Sequence, residues 1–454
     1  VEISQPKNQH AKIRTTIPGE KSQRLRQDED RLLADGLQGF ATKSGIAIES
    51  ANGNIIRDLD GNEFLDIIGG IGVNGIGHSH PRFIKEMSEQ LTKCSIGSFT
   101  SKARVDFFNI IDQFKVGQLN RVQLYSSGSE AVESALRLAK NATQKWEFVS
   151  FSGSFHGKTA GSLALMGSEF KNSYGPFAPG NHIIPYANCY RCPLGSSYPT
   201  CGLACLEVGR NFLKSNITSG VAAFIIEPIQ GTAGNIIPPK DFLSSVRELA
   251  KEFDSLLIAD EMITGFGRTG LFWGVQHSHT VPDILTIGKQ FGGGYPVSGL
   301  ITSDELVKVK PWGNPSGSSS SYGGNPMAAM AALTSTQIII EENLIENSKL
   351  MGLYFLELLK PFVDRYSFIG EVRGLGLMIG IELVKNKQTK EPLSKRALNW
   401  LFDEFLQNGL LTMAYASSFR IQPAMTIDQD TINNIKEIMT KVFNKFSDYG
   451  LEDY

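Results

Sequence analysis

SLLIADEMITGFGRTG, residues 255–270, and DILTIGKQFGGGYPVSGLIT, residues 283–302, decide how this chain is read. Two short apolar runs, Leu256-Leu257-Ile258 and Ile284-Leu285-Thr286-Ile287, have the length and composition of strands buried in a parallel sheet. Each leads into a charged side chain where the strand meets its loop: Asp260 after the first, Lys289 after the second. Open α/β sheets bind ligands outside the carboxyl ends of their strands, so both side chains are expected at one crevice. Gly292-Gly293-Gly294 follows, a run without side chains that lets backbone come close to a ligand.

A lysine and a carboxylate converging on one water-poor site suit pyridoxal phosphate. That cofactor needs a lysine amine to hold its aldehyde, and an acid beside its ring nitrogen to keep the pyridinium protonated as an electron sink. Read singly, Lys289 is equally a solvated loop lysine and Asp260 a helix cap; the paired strand-end positions and the glycines favour the cofactor. The segments DEMITGFGRTG and GKQFGGGYP resemble the class III (ω-amino acid type) aminotransferases, which are fold type I pyridoxal phosphate enzymes. The likeness runs from about Ile17 to about Lys441. It implies an α/β fold, with a large domain of mainly parallel sheet and a small α+β domain. The expected division is an arm and part of the small domain over 1–74, the large cofactor domain over 75–340, and the rest of the small domain over 341–454.

Composition sets outer bounds. The 454 residues are 41% hydrophobic and 20% charged, as in ordinary globular enzymes, and the length allows two or three domains. A formal net charge of −2 gives no electrostatic reason to expect nucleic acid or membrane partners. No stretch approaches the roughly eighteen uninterrupted apolar residues of a membrane span, and the polar first thirty residues carry no apolar signal core. A cytoplasmic enzyme is expected, opening on an extended arm to about residue 30.

Ile55 to Ile68 reads as a hairpin turning at Asp60-Gly61. The glycine-rich run Gly69 to Gly75 follows; the resemblance places Ile71 in the substrate pocket. His78 and His80, one residue apart, are read as a turn before a helix at Pro81 rather than a metal pair. RVQLYSSGSEAVESALRLAK, residues 121–140, reads as strand, turn and helix, with Ser127 and Glu130 in capping-box spacing. Such a helix start suits a phosphate dianion. The resemblance assigns that phosphate to Gly128 and Ser129. In FSGSFHGKT, residues 151–159, Phe155 is otherwise a core phenylalanine, but the resemblance stacks it on the cofactor ring, with Met262 on the opposite face. Glu227, at the end of VAAFIIEP, matches a family acid near cofactor and substrate amine. Ser321 stands where a threonine usually reaches the partner subunit's cofactor phosphate, and Arg420 matches the residue that binds the substrate α-carboxylate.

Cys189, Cys192, Cys201 and Cys205 lie within seventeen positions in a loop containing Pro193, Gly195 and Pro199. The spacing fits a tetrahedral structural zinc, or an iron–sulfur cluster, as well as a set of free thiols.

The resemblance implies a homodimer, or a dimer of dimers, moving an amino group from an ω-amino acid such as 4-aminobutyrate to a 2-oxo acid. Lys289 would hold the cofactor and move the proton; Asp260 would keep the ring nitrogen protonated. The alternative is racemisation or epimerisation of α-amino acids, which some family members perform. Lys158 stands where the aminobutyrate enzymes have an arginine for the ω-carboxylate, so the positive charge is kept and the bidentate fork is lost. Thr232 replaces a second acid that would neutralise Arg420, and Ile263 replaces a glutamine near the cofactor's phenolic oxygen.

Overall fold

The computed structural model describes residues 6–450. The chain forms two compact units, one from Lys85 to Ile345 and the other from the segments before and after it.

In the central unit seven strands form one sheet: β1 (Arg121–Tyr125), β2 (Glu147–Phe151), β3 (Asn181–Ile184), β4 (Val221–Ile226), β5 (Leu256–Asp260), β6 (Ile284–Ile287) and β7 (Ser298–Thr302). Their spatial order is β1-β7-β6-β5-β4-β2-β3. Pairs β2/β3, β2/β4, β4/β5 and β5/β6 are parallel, and β7 is antiparallel to both β1 and β6. Six strands therefore run one way, and their carboxyl ends share one edge. Every residue of β2, β4, β6 and β7 is buried, as expected for strands covered on both faces. The long helix α1 (Gly128–Thr143) supplies part of that cover, burying Ala131, Val132, Ala135 and Leu138 at helical spacing.

The other unit holds two smaller sheets. One pairs Ile48–Asn52, Ile55–Asp58, Glu63–Asp66 and Leu410–Leu411, and its hairpin closes near Asp60-Gly61 as the turn signal requires. The other is built around Met378–Asn386, flanked by Ile369–Leu375 and Ser418–Ile421. Helices Lys395–Gln407 and Gln429–Asp448 belong to the same unit. The helix Leu344–Leu359 ends two residues before Pro361, which opens a separate short turn, Phe362–Arg365.

The expected extended arm is corrected. Residues 1–5 lie outside the described part, but Glu20–Asp30 is a helix. Its start is capped from far away: the Asp60 carboxylate accepts from the amides of Lys21 and Ser22, at 2.8 and 2.9 Å, and from the Ser22 hydroxyl. These bonds hold the Asp60 carboxyl below its ordinary range even against desolvation. Gly19 is required there, since a Cβ would lie 2.2 Å from the Asp60 side chain. A cap supplied by a residue nearly forty positions on leaves no local signature.

Candidate active site at the carboxyl edge of the sheet

Adjacent strands β5 and β6 place the two residues that opened the reading. Asp260 closes β5 and is paired in register with Thr286, three residues before Lys289. Lys289 begins a single 3-10 turn, Lys289–Gly292, with a left-handed φ of +54°. A non-glycine residue in that region carries strain that the surroundings must hold. Two neighbours hold it here. Gln290 is buried and its amide donates to the Gly265 carbonyl at 2.9 Å and to the Ile263 carbonyl. Gly288 lies against Met262, whose sulfur would be 2.5 Å from an added Cβ.

Met262 also reaches the first turn of α1, where a Cβ at Gly128 would come within 3.1 Å of the same sulfur. The capping box is formed as the spacing requires: Ser127 accepts from the Glu130 amide, and Glu130 accepts from the amides of Ser126 and Ser127. The amides of Gly128 and Ser129 are among the first-turn donors that a helix cannot satisfy internally. With the dipole of a sixteen-residue helix behind them, they suit a dianion. Ser320 donates to Glu130 at 3.1 Å, tying the serine-rich segment to this helix start, and the next residue, Ser321, is exposed.

The loop after β2 closes the group. Gly157 has φ +126°, and a Cβ there would sit 2.3 Å from the Ser129 hydroxyl oxygen, so only glycine lets this loop meet α1. The Lys158 amide donates to that hydroxyl at 3.2 Å. The Phe155 amide donates to Glu227, just past β4, at 2.9 Å; the second Glu227 oxygen accepts from the Gly231 amide. Burial pushes the Glu227 carboxyl up, and the nearby Asp260 charge adds to this, while His156 opposes it. His156 Nδ1 lies 2.7 Å from Asp260, with both side chains wholly buried. The other Asp260 oxygen accepts from the Met262 amide at 3.1 Å.

Lys289, Asp260, Glu227, Met262, Phe155, Gly128 and Ser129 are thus joined by direct contacts or through one shared neighbour. His156 and Gln290 were not singled out by the sequence reading. The signal for His156 was its place inside the same FHG motif as Phe155; for Gln290, its position directly after Lys289. Lys158 is exposed, with its ammonium 4.5 Å from the centre of the Phe170 ring. Phe170 in turn meets Phe155 edge-on, at 6.1 Å and 77°.

Ile71 and Arg420 belong to the other unit. Ile71 is a β-branched residue at φ +65°, a strained conformation of the kind found where a side chain must point a particular way. Its turn is tied to the strand of Arg420: Gln422 donates to the Ile67 carbonyl at 2.7 Å, and a Cβ at Gly69 would lie 2.5 Å from the Gln422 carbonyl oxygen. Arg420 is 7% exposed and donates to the Met413 sulfur at 3.2 Å.

The four cysteines of the metal expectation, Cys189, Cys192, Cys201 and Cys205, come together in the fold. All four line one cavity of about 10 Å³, but among the described residues no three His, Cys, Asp or Glu side chains are placed to hold a metal ion. Pro193, Leu194, Tyr198 and Leu203 share that lining, so the loop has apolar packing of its own. Cys189 is exposed and Cys205 buried; burial pushes the Cys205 thiol up, and the neighbouring Cys192 and Cys201 add to this.

A buried acid and a lysine at neighbouring strand ends, beside a capped helix start on a mainly parallel sheet, define a fold type I pyridoxal phosphate enzyme. Residues 40–443 match the aminotransferase class-III family, and the chain belongs to it. A leucine/methionine racemase of Thermococcus litoralis is 30% identical over 396 residues, 86% of this chain and 88% of its own. A probable 4-aminobutyrate aminotransferase of Bacillus subtilis is 31% identical over 394 residues, 85% of this chain and 89% of its own. Among solved structures, an amine transaminase from an uncultivated Pseudomonas species, in its pyridoxal-phosphate-bound form, superposes with a TM-score of 0.85 at 28% identity. That match covers 91% of this chain and 98% of the other. Among the described residues no helix is long and apolar enough to cross a membrane.

Proposed function

We propose that this chain transfers an amino group from an ω-amino acid resembling 4-aminobutyrate to a 2-oxo acid. The observation that carries this reading is Lys158. Among the described residues its ammonium has no ion-pair partner, yet it rests on an aromatic face next to Phe155. An unpaired cation beside the site suits the far carboxylate of an ω-amino acid.

Bound pyridoxal 5′-phosphate supplies the electron sink that acidifies the carbon bearing the substrate amine. In this reading Lys289 Nζ would hold the cofactor's aldehyde, and its amine would serve as the base and acid that moves the substrate proton. Asp260, fixed by His156 and the Met262 amide, keeps a proton on the ring nitrogen. Gly128 and Ser129 would bind the phosphate, Phe155 and Met262 would cover the ring, and Glu227 would serve near the substrate amine. Ser321 completes the phosphate site of a partner subunit in a homodimer. Ile71 and Arg420 shape and anchor the α-carboxylate end of the 2-oxo acid.

Racemisation of α-amino acids is the second reading. It is favoured by the Thermococcus litoralis relative and by Thr232, which is exposed and stands where the aminobutyrate enzymes that the chain resembles have an acid. Incubating the protein with single amino acid enantiomers, with and without 2-oxoglutarate or pyruvate, separates the two. Transamination predicts loss of 4-aminobutyrate only when a 2-oxo acid is present, and optically stable α-amino acids without one. Inversion of an enantiomer in the absence of any 2-oxo acid would replace the first reading with the second.

A further inference from the structure

We propose that Phe170 is a specificity-determining residue, holding the Lys158 ammonium where it meets the far carboxylate of the substrate. Phe170 lies in a short 3-10 turn, Glu169–Lys171, and is 46% exposed. A large aromatic ring left so open contributes little to a core. It is nevertheless engaged on two sides: its face carries the Lys158 ammonium at 4.5 Å, and it meets Phe155 edge-to-face at 6.1 Å. The backbone of Phe155 is held in turn by the hydrogen bond that its N–H donates to the buried Glu227 carboxylate at 2.9 Å. The side chains of Phe155, Phe170 and Lys158 are thus linked in series, ending at an exposed cation.

The physical argument concerns freedom. A lysine ammonium on a four-carbon stem is mobile, and a guanidinium's rigid fork is missing at this position. An aromatic face attracts the cation electrostatically without neutralising it. The charge therefore stays available to a carboxylate while the side chain is already ordered, which lowers the entropy lost on binding. A carboxylate partner would have ordered Lys158 as well, but would have competed with the substrate.

This inference rests on the reading of Lys158 as the anchor for an acid, so the experiment tests both links. kcat/KM is measured for 4-aminobutyrate and for alanine in wild type, Lys158→Met, Phe170→Leu, Phe170→Tyr and the Lys158→Met/Phe170→Leu double variant. The absorbance of bound cofactor serves as a check on folding. Lys158→Met is expected to weaken 4-aminobutyrate about ten- to a hundredfold relative to alanine, the loss of a charge-assisted bond. Phe170→Leu is expected to lower the 4-aminobutyrate to alanine ratio about two- to fivefold, the worth of an exposed cation–π contact. Phe170→Tyr should keep the wild-type ratio, and Phe170→Leu should add nothing once Lys158 is methionine. A selective Lys158→Met combined with a neutral, unselective or additive Phe170→Leu would overturn the role of Phe170 and leave the functional reading standing. An unselective Lys158→Met would overturn both.

Discussion

Glu261, the residue after Asp260, should make the protein less stable as the pH rises through neutrality. Its carboxyl is wholly buried and is pushed up from an ordinary 4.5 to about 7 by desolvation, against donors that favour the charged form. Those donors are the Gly274 and Val275 amides, each at 2.8 Å, and the Thr264 hydroxyl. Between these two pH values the folded protein keeps a proton that the unfolded chain releases. Stability is therefore full below about 4.5 and declines as pH rises through the folded value. At about 1.36 kcal/mol per tenfold change in proton affinity, the whole interval corresponds to about 3 kcal/mol. Glu261→Gln keeps an acceptor and mimics the protonated acid, so it should remove this dependence. Urea unfolding of both proteins at about pH 5 and pH 8 isolates the effect, because every other titrating group cancels in the difference. Wild type should lose about 2 to 3 kcal/mol more than Glu261→Gln between those conditions. A stability difference that stays constant across the two pH values would show that Glu261 does not hold its proton in the folded state.

Three further outcomes are expected. Borohydride reduction of the cofactor-loaded protein followed by peptide mapping should place the pyridoxyl group on Lys289; its appearance on another lysine would remove Lys289 from the site. His156→Phe deletes the 2.7 Å partner of buried Asp260 and should cost about 1.5–3 kcal/mol of stability, with weaker pyridoxal phosphate binding by absorbance titration. Unchanged unfolding and unchanged cofactor affinity would mean that His156 does not support Asp260. All five cysteines should titrate as thiols after denaturation, with exposed Cys94 and Cys189 reacting in the native protein ahead of buried Cys205. Stoichiometric zinc or iron in the purified protein, with Cys189, Cys192, Cys201 and Cys205 protected from the thiol reagent before denaturation, would instead assign the four-cysteine cavity to a metal.

How much of this was legible beforehand follows from the range of each interaction. The apolar runs that became β4, β5 and β6, and the Ser127–Glu130 capping box, were readable because strand burial and helix capping are set within a few residues. The same holds for Lys289 and Asp260 as strand-end residues. The neighbours of those strand ends were not readable. Placing Glu227, Asp260 and Lys289 on one edge depends on β4, β5 and β6 being adjacent and parallel, and strand order is a property of the whole sheet. The bond between His156 and Asp260 spans 104 positions, and the Asp60 cap on Lys21 spans 39. Chemistry at that separation leaves no periodicity or spacing in the chain. Gly157 and Gly288 show the division most plainly. Their residue type is written in the sequence, but the Ser129 hydroxyl and the Met262 sulfur that make glycine necessary are supplied only by the folded chain. The four cysteines show the same division: their spacing is written in the sequence, but that all four line one small cavity beside Pro193, Leu194, Tyr198 and Leu203 is decided only by the folded chain.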